Sequence, residues 1–102
     1  MLVELLYVPG CPHYQPALSR LRQVLQSQDV TVPIREIPVE DEAMARSLRF
    51  PGSPTIRINH EDVEPGGGTT PALACRLYSG ETSGPSEEAI HRAISAAKRE
   101  AS

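Results

Sequence analysis

Cys11 is the residue of this chain best placed to do chemistry. It stands in "VPGCPHYQP", residues 8 to 16, where an apolar segment gives way to a turn and then to a helix-forming stretch. A cysteine at the head of a helix lies beside backbone N–H groups that have no intrahelical acceptor. It also lies near about half a unit of positive charge, and both favour a thiolate. The thiolate is the attacking species in disulfide exchange and the ligand for soft metal ions. His13, two residues on, would favour the thiolate further if it were protonated beside the sulfur; as a plain surface histidine it would do nothing. Pro9, Gly10 and Pro12 shape an exposed turn around Cys11. The plain alternative is an inert capping cysteine packed as a small hydrophobe. Three residues after Cys11, where a second cysteine would complete C-x-x-C, the chain has Tyr14.

A second segment bears on the same sulfur. "GSPT", Gly52 to Thr55, directly precedes a predicted strand. The Ser53–Pro54 bond is open between an ordinary trans turn and a cis bond, which X-Pro pairs adopt at modest cost. A cis bond would turn the backbone of Ser53 outward, where its N–H and C=O could pair with a peptide or glutathione backbone lying across Cys11. Ser53, Pro54 and Thr55 are therefore the candidate substrate-binding residues, with Cys11, His13 and Pro54 the candidate catalytic ones.

The elements that must hold these residues follow from periodicity. "LVELLYV", residues 2 to 8, is apolar except for Glu4 and suits a central strand covered on both faces. Residues 12 to 28 read as a helix with Leu18, Leu21, Val24 and Leu25 on one side. Pro12 suits its first turn, whereas Pro16 is expected to kink it or make that turn irregular. In "VTVPIREIPV", residues 30 to 39, Val30, Val32 and Ile34 share a face, and Pro33 and Pro38 mark an edge strand. Residues 40 to 48 suggest a short helix and residues 55 to 59 a strand. Residues 60 to 73 read as a loop, 74 to 80 as the last strand, and 86 to 100 as the clearest helix, with Ser86 as its cap. The expected fold is α/β: one domain over residues 1–102, built as β-α-β-α-β-β-α. Its sheet is four-stranded and mixed, in the order 2-1-3-4, with helices on both faces.

Composition agrees with one ordinary globular domain. The chain has 102 residues, 23% charged and 39% hydrophobic, with a formal net charge of −3. Nothing basic or rich in aromatics suggests nucleic acid, and no apolar run approaches the roughly 18 residues of a membrane span. The first residues lack a basic region and a small-residue cleavage site, so they read as a strand and the expected compartment is the cytoplasm. Thiols stay reduced there, which makes Cys11 and Cys75 free thiols rather than a staple. "GGG" at residues 66 to 68 lacks the Lys and the following helix of a phosphate loop. His60, Glu61, Asp62 and Glu64 could touch a cation, with a solvated acidic loop the favoured reading. No Cys/His spacing matches a zinc site, so no metal is expected.

"CPHY" after a central strand, about forty residues before "SPT", resembles the thioredoxin and glutaredoxin superfamily, in element order over essentially the whole chain. "CPH" is similar to the first three residues of the C-P-H-C motif of bacterial periplasmic disulfide oxidases. "FPGSPTIRIN" with a downstream "CRLY" is similar to small bacterial thioredoxin-like proteins, some of them labelled mercury-related. The resemblance implies that Cys11 is the nucleophile, that Pro54 is the family's cis-proline, and that a protein or small-molecule thiol or disulfide is the partner. Tyr14 departs from it. A monothiol member needs an outside thiol, with glutathione as candidate co-substrate, to resolve the mixed disulfide. Soft-metal binding through Cys11 and Cys75, or a fold without redox activity, are the alternatives. In the expected register Cys75 lies roughly 10 Å along the last strand and two strand spacings of about 4.8 Å away. Disulfides need Cα atoms within about 7 Å, so a buried strand cysteine is the preferred reading.

Overall fold

The computed structural model describes residues 1–64 and 84–101. Its elements are β1 (Val3–Tyr7), α1 (Tyr14–Ser27), β2 (Ile34–Pro38), α2 (Glu42–Leu48), β3 (Thr55–Ile58), β4 (Glu61–Asp62) and α3 (Glu87–Ala101). They form a four-stranded mixed sheet in the order β2-β1-β3-β4. β1 runs parallel to β2 and antiparallel to β3, and β3 runs antiparallel to β4. The apolar β1 is central, and the proline-marked β2 is an edge, where a missing N–H costs no ladder bond.

Alternation along the strands builds two cores. Val3 and Leu5 of β1 face Ile56 and Ile58 of β3 and the apolar stripes of α1 and α3, including Leu18, Leu21, Leu25, Ile90 and Ile94. Leu6 faces the other way and packs with Val39, Ala45 and Phe50 under α2. Helices thus cover both faces.

Several boundaries differ from the periodicity. α1 starts at Tyr14 rather than at Pro12, with His13 as its cap residue. Pro16 is therefore the third helical residue, where a backbone N–H has no intrahelical acceptor, so its ring fits the first turn. β2 starts at Ile34, and Val30 and Val32 pack against the larger core from outside the strand. The fourth strand comes from the stretch read as a loop. Asn59 and His60 both take left-handed backbone (φ 51° and 70°), and Ile58 pairs with Glu61 across them. That is the two-residue connection whose twist matches a hairpin, with His where Gly is commoner. The strand expected at 74–80, and Cys75 with it, lies outside the described residues.

Both ends of α2 and the start of α3 have local caps. Asp41 accepts from Met44 N–H at 2.7 Å to cap α2. That helix closes with Arg49 N–H to Arg46 O at 3.2 Å and Phe50 N–H to Ala45 O at 2.9 Å. This is a Schellman ending with Arg49 (φ 51°) at the left-handed position, and its apolar partners Phe50 and Ala45 share a core. Ser86 caps α3, accepting from Ala89 N–H at 3.1 Å.

Candidate functional site

Cys11 joins two consecutive turns. In the first, Cys11 N–H donates to Val8 O at 3.0 Å, and Gly10 has φ +87°. This is a type II turn, with Pro9 supplying the fixed φ and Gly10 the positive one. A Cβ on Gly10 would meet nothing within 4 Å, so backbone conformation, not space, calls for glycine there. In the second turn Tyr14 N–H donates to Cys11 O at 3.3 Å. Pro12 takes its second position, and His13 (φ −93°, ψ −1°) has the type I geometry for its third. The chain then enters α1 directly. Cys11 is a free thiol of intermediate exposure, flanked by exposed Gly10 and Pro12.

The Pro54 segment lies beside this turn. Val8 N–H donates to Ser53 Oγ at 3.0 Å, linking the residue that opens the Cys11 turn to the residue before Pro54. The Ser53–Pro54 bond is cis. Ser53, Pro54 and Thr55 are fully buried. The hydroxyl of Ser53 is committed to Val8, and that of Thr55 donates to Gly52 O at 2.7 Å. The three residues therefore support the Cys11 turn from within. Above Pro54 sits Gly84 (φ +108°), where a Cβ would stand 3.2 Å from Pro54 Cγ and 3.5 Å from Ala17 Cβ. Arg20 of α1 donates to Pro85 O at 3.0 Å, closing the same corner.

His13 is half-buried, and among the described residues its side chain makes no capping bond. Tyr14 is engaged with the two neighbouring strands. Its ring stacks on Tyr7 with centroids 4.0 Å apart and planes 20° from parallel, and its hydroxyl donates to Glu36 Oε1 of β2. Residue chemistry pointed to Cys11, His13 and Pro54. Tyr7, Glu36 and the Val8–Ser53 bond depend on strand register, and no local pattern signals them.

The other features lie apart from this turn. Grooves of about 620, 420 and 520 Å³ are lined by none of Cys11, His13 and Pro54. The acidic stretch at 60–64 is engaged within the fold. His60 Nδ1 lies 3.6 Å from Glu4 Oε1, Asp62 accepts from Glu64 N–H at 2.9 Å, and Glu64 accepts from Ser86 Oγ at 3.0 Å. Among the described residues there is no group of three or more His, Cys, Asp or Glu that could hold a metal ion. No described helix is long and apolar enough to cross a membrane. Compared with protein-family models, with curated proteins and with solved structures, the chain finds no significant match.

Proposed function

We propose that this is a thioredoxin-like monothiol protein of the cytoplasm that carries out thiol–disulfide exchange through Cys11. The observation that carries the reading is a free, half-exposed thiol held between two closed turns at the head of α1. The adjoining Pro54 segment is tied to it through Ser53.

The Cys11 thiolate attacks one sulfur of a disulfide R–S–S–R′. A Cys11–S–S–R bond forms, the R–S–S–R′ bond breaks, and R′–S⁻ leaves with the electron pair. An outside thiolate then attacks sulfur R. It releases R as a new disulfide and returns Cys11 as thiolate, so electrons flow from the outside thiol to the original disulfide. With Tyr14 in place of a resolving cysteine the second step is intermolecular, and glutathione is the candidate outside thiol. His13 and the N-terminus of α1 tune the sulfur, while Ser53, Pro54 and Thr55 fix the turn that presents it.

Incubation of the Cys75→Ser protein with oxidised glutathione tests this by mass spectrometry. The expected result is one glutathionyl adduct on Cys11, removed by reduced glutathione and absent in Cys11→Ser. No adduct with glutathione disulfide or with 2-hydroxyethyl disulfide at neutral pH would defeat the reading.

A further inference from the structure

We infer that Tyr14 and Glu36 are positioning residues for Cys11, a role that deepens the exchange reading and rests on it for its chemistry. The argument starts from how each helix begins. α2 and α3 are capped by Asp41 and Ser86, whose side chains accept from backbone N–H groups of the first turn. α1 has neither aid: His13 makes no side-chain cap and the first turn carries no acidic residue. A helix start without a side-chain cap frays more readily than a capped one. Yet this is the start that carries the Cys11 turn, since Tyr14 N–H closes that turn on Cys11 O at 3.3 Å.

What fixes this start is a pair of tertiary contacts at one residue. The Tyr14 ring lies on Tyr7, at the end of β1, and the Tyr14 hydroxyl donates to Glu36 in the middle of β2. The first helical residue is thereby tied to two adjacent strands. Tyr14 thus holds the first turn of α1, and with it the turn that carries Cys11, against the sheet. The position that a resolving cysteine would occupy is used as an anchor.

The test reads the thiol itself, in Cys75→Ser protein, as the rate of alkylation of Cys11 by uncharged iodoacetamide at neutral pH. Tyr14→Phe keeps the stack and loses the donor; Glu36→Ala loses the acceptor; Glu36→Gln keeps an acceptor oxygen and loses the charge. Tyr14→Phe and Glu36→Ala are each expected to slow alkylation by roughly 3- to 10-fold, the worth of one hydrogen bond expressed as a rate. The double variant should be no slower than the slower single, and Glu36→Gln should restore most of the rate. Unchanged rates in both singles, or losses that multiply in the double, would overturn the inference. So would Glu36→Gln behaving like Glu36→Ala while Tyr14→Phe matches the parent, since that pattern marks a charge effect. Alkylation needs no disulfide partner, so a protein that forms no glutathione adduct but follows this pattern keeps the tether and loses the exchange reading. The reverse pattern keeps exchange and loses the tether.

Discussion

The starts of α1 and α3 solve the same problem in opposite ways. At α3, Ser86 does the work locally: its hydroxyl oxygen accepts from Ala89 N–H, and its hydroxyl donates to Glu64. At α1 the cap residue His13 offers no such bond, and order comes from far along the chain, through Tyr7, Glu36 and, by way of Val8, Ser53. A self-capped helix end has its first amides occupied. The end beside Cys11 has Tyr14 N–H bound to Cys11 O and is held further by its side chains and its neighbours. The two helix starts are thus built from different contacts.

The strongest way to break this contrast is at the residue that touches both regions. Gly84 sits two residues before the α3 cap, and its left-handed backbone lies over Pro54 and Ala17. Gly84→Ala forces an L side chain to φ +108° and presses a methyl group against Pro54 Cγ at 3.2 Å. The expected loss is about 2–3 kcal/mol, measured by urea unfolding, and Cys11 alkylation should change with it because the Pro54 corner moves. A loss below about 0.5 kcal/mol would show that the loop relaxes freely and that the two regions are not coupled there.

Removing the local cap comes next. Ser86→Ala deletes both the bond from Ala89 N–H and the one to Glu64. It should cost about 1–2 kcal/mol of stability in the same assay. Cys11 alkylation should stay at the parent rate, because no contact of Ser86 reaches the α1 start. A parallel fall in alkylation would mean the two termini share one cooperative contact network.

How much of this could be read from the chain follows the same division. The Ser86 cap, the apolar stripe of α3, the central β1 and the proline-marked edge strand are properties of residues close in sequence, and they were legible. So were the sheet order and the place of Cys11 at a strand–helix joint. The fourth strand was not. It has two residues, too few for alternation to register, and its turn is Asn59-His60 rather than an Asn-Gly pair. The start of α1 was misplaced because Pro12 is as suitable for a turn as for a first helical residue. Tyr14–Glu36 and Val8–Ser53 join residues 22 and 45 positions apart. Such contacts follow only once β1 lies between β2 and β3 in a given register, which one sequence does not disclose.

A smaller effect, of the opposite sign, is expected at the end of α2. Arg49 holds a left-handed conformation (φ 51°), which costs an L residue about 1 kcal/mol relative to glycine. The bonds that close this helix end are backbone bonds, and the one from Arg57 Nη2 ends on Arg49 O at 3.1 Å, so none needs the Arg49 side chain. Arg49→Gly should raise stability by up to about 1 kcal/mol, offset in part by the greater freedom of glycine in the unfolded chain. α2 packs on the face opposite α1, so Cys11 alkylation should not respond. A destabilised Arg49→Gly would reveal that the exposed guanidinium makes a stabilising contact of its own.

The finest test concerns His13, because there stability and chemistry should separate. His13 occupies the cap position of α1, yet it makes no capping bond, and its backbone (φ −93°, ψ −1°) is open to any L residue. His13→Ala should therefore leave unfolding within about 0.5 kcal/mol of the parent, where the same change at Ser86 costs several times more. Mixed-disulfide formation at Cys11 should nevertheless slow, because the backbone amides act alone in the variant. Equal rates for parent and variant would assign the whole tuning to the backbone of the α1 start. A stability loss as large as that of Ser86→Ala would mean that His13 caps α1 after all, and the contrast between the two helix starts would collapse.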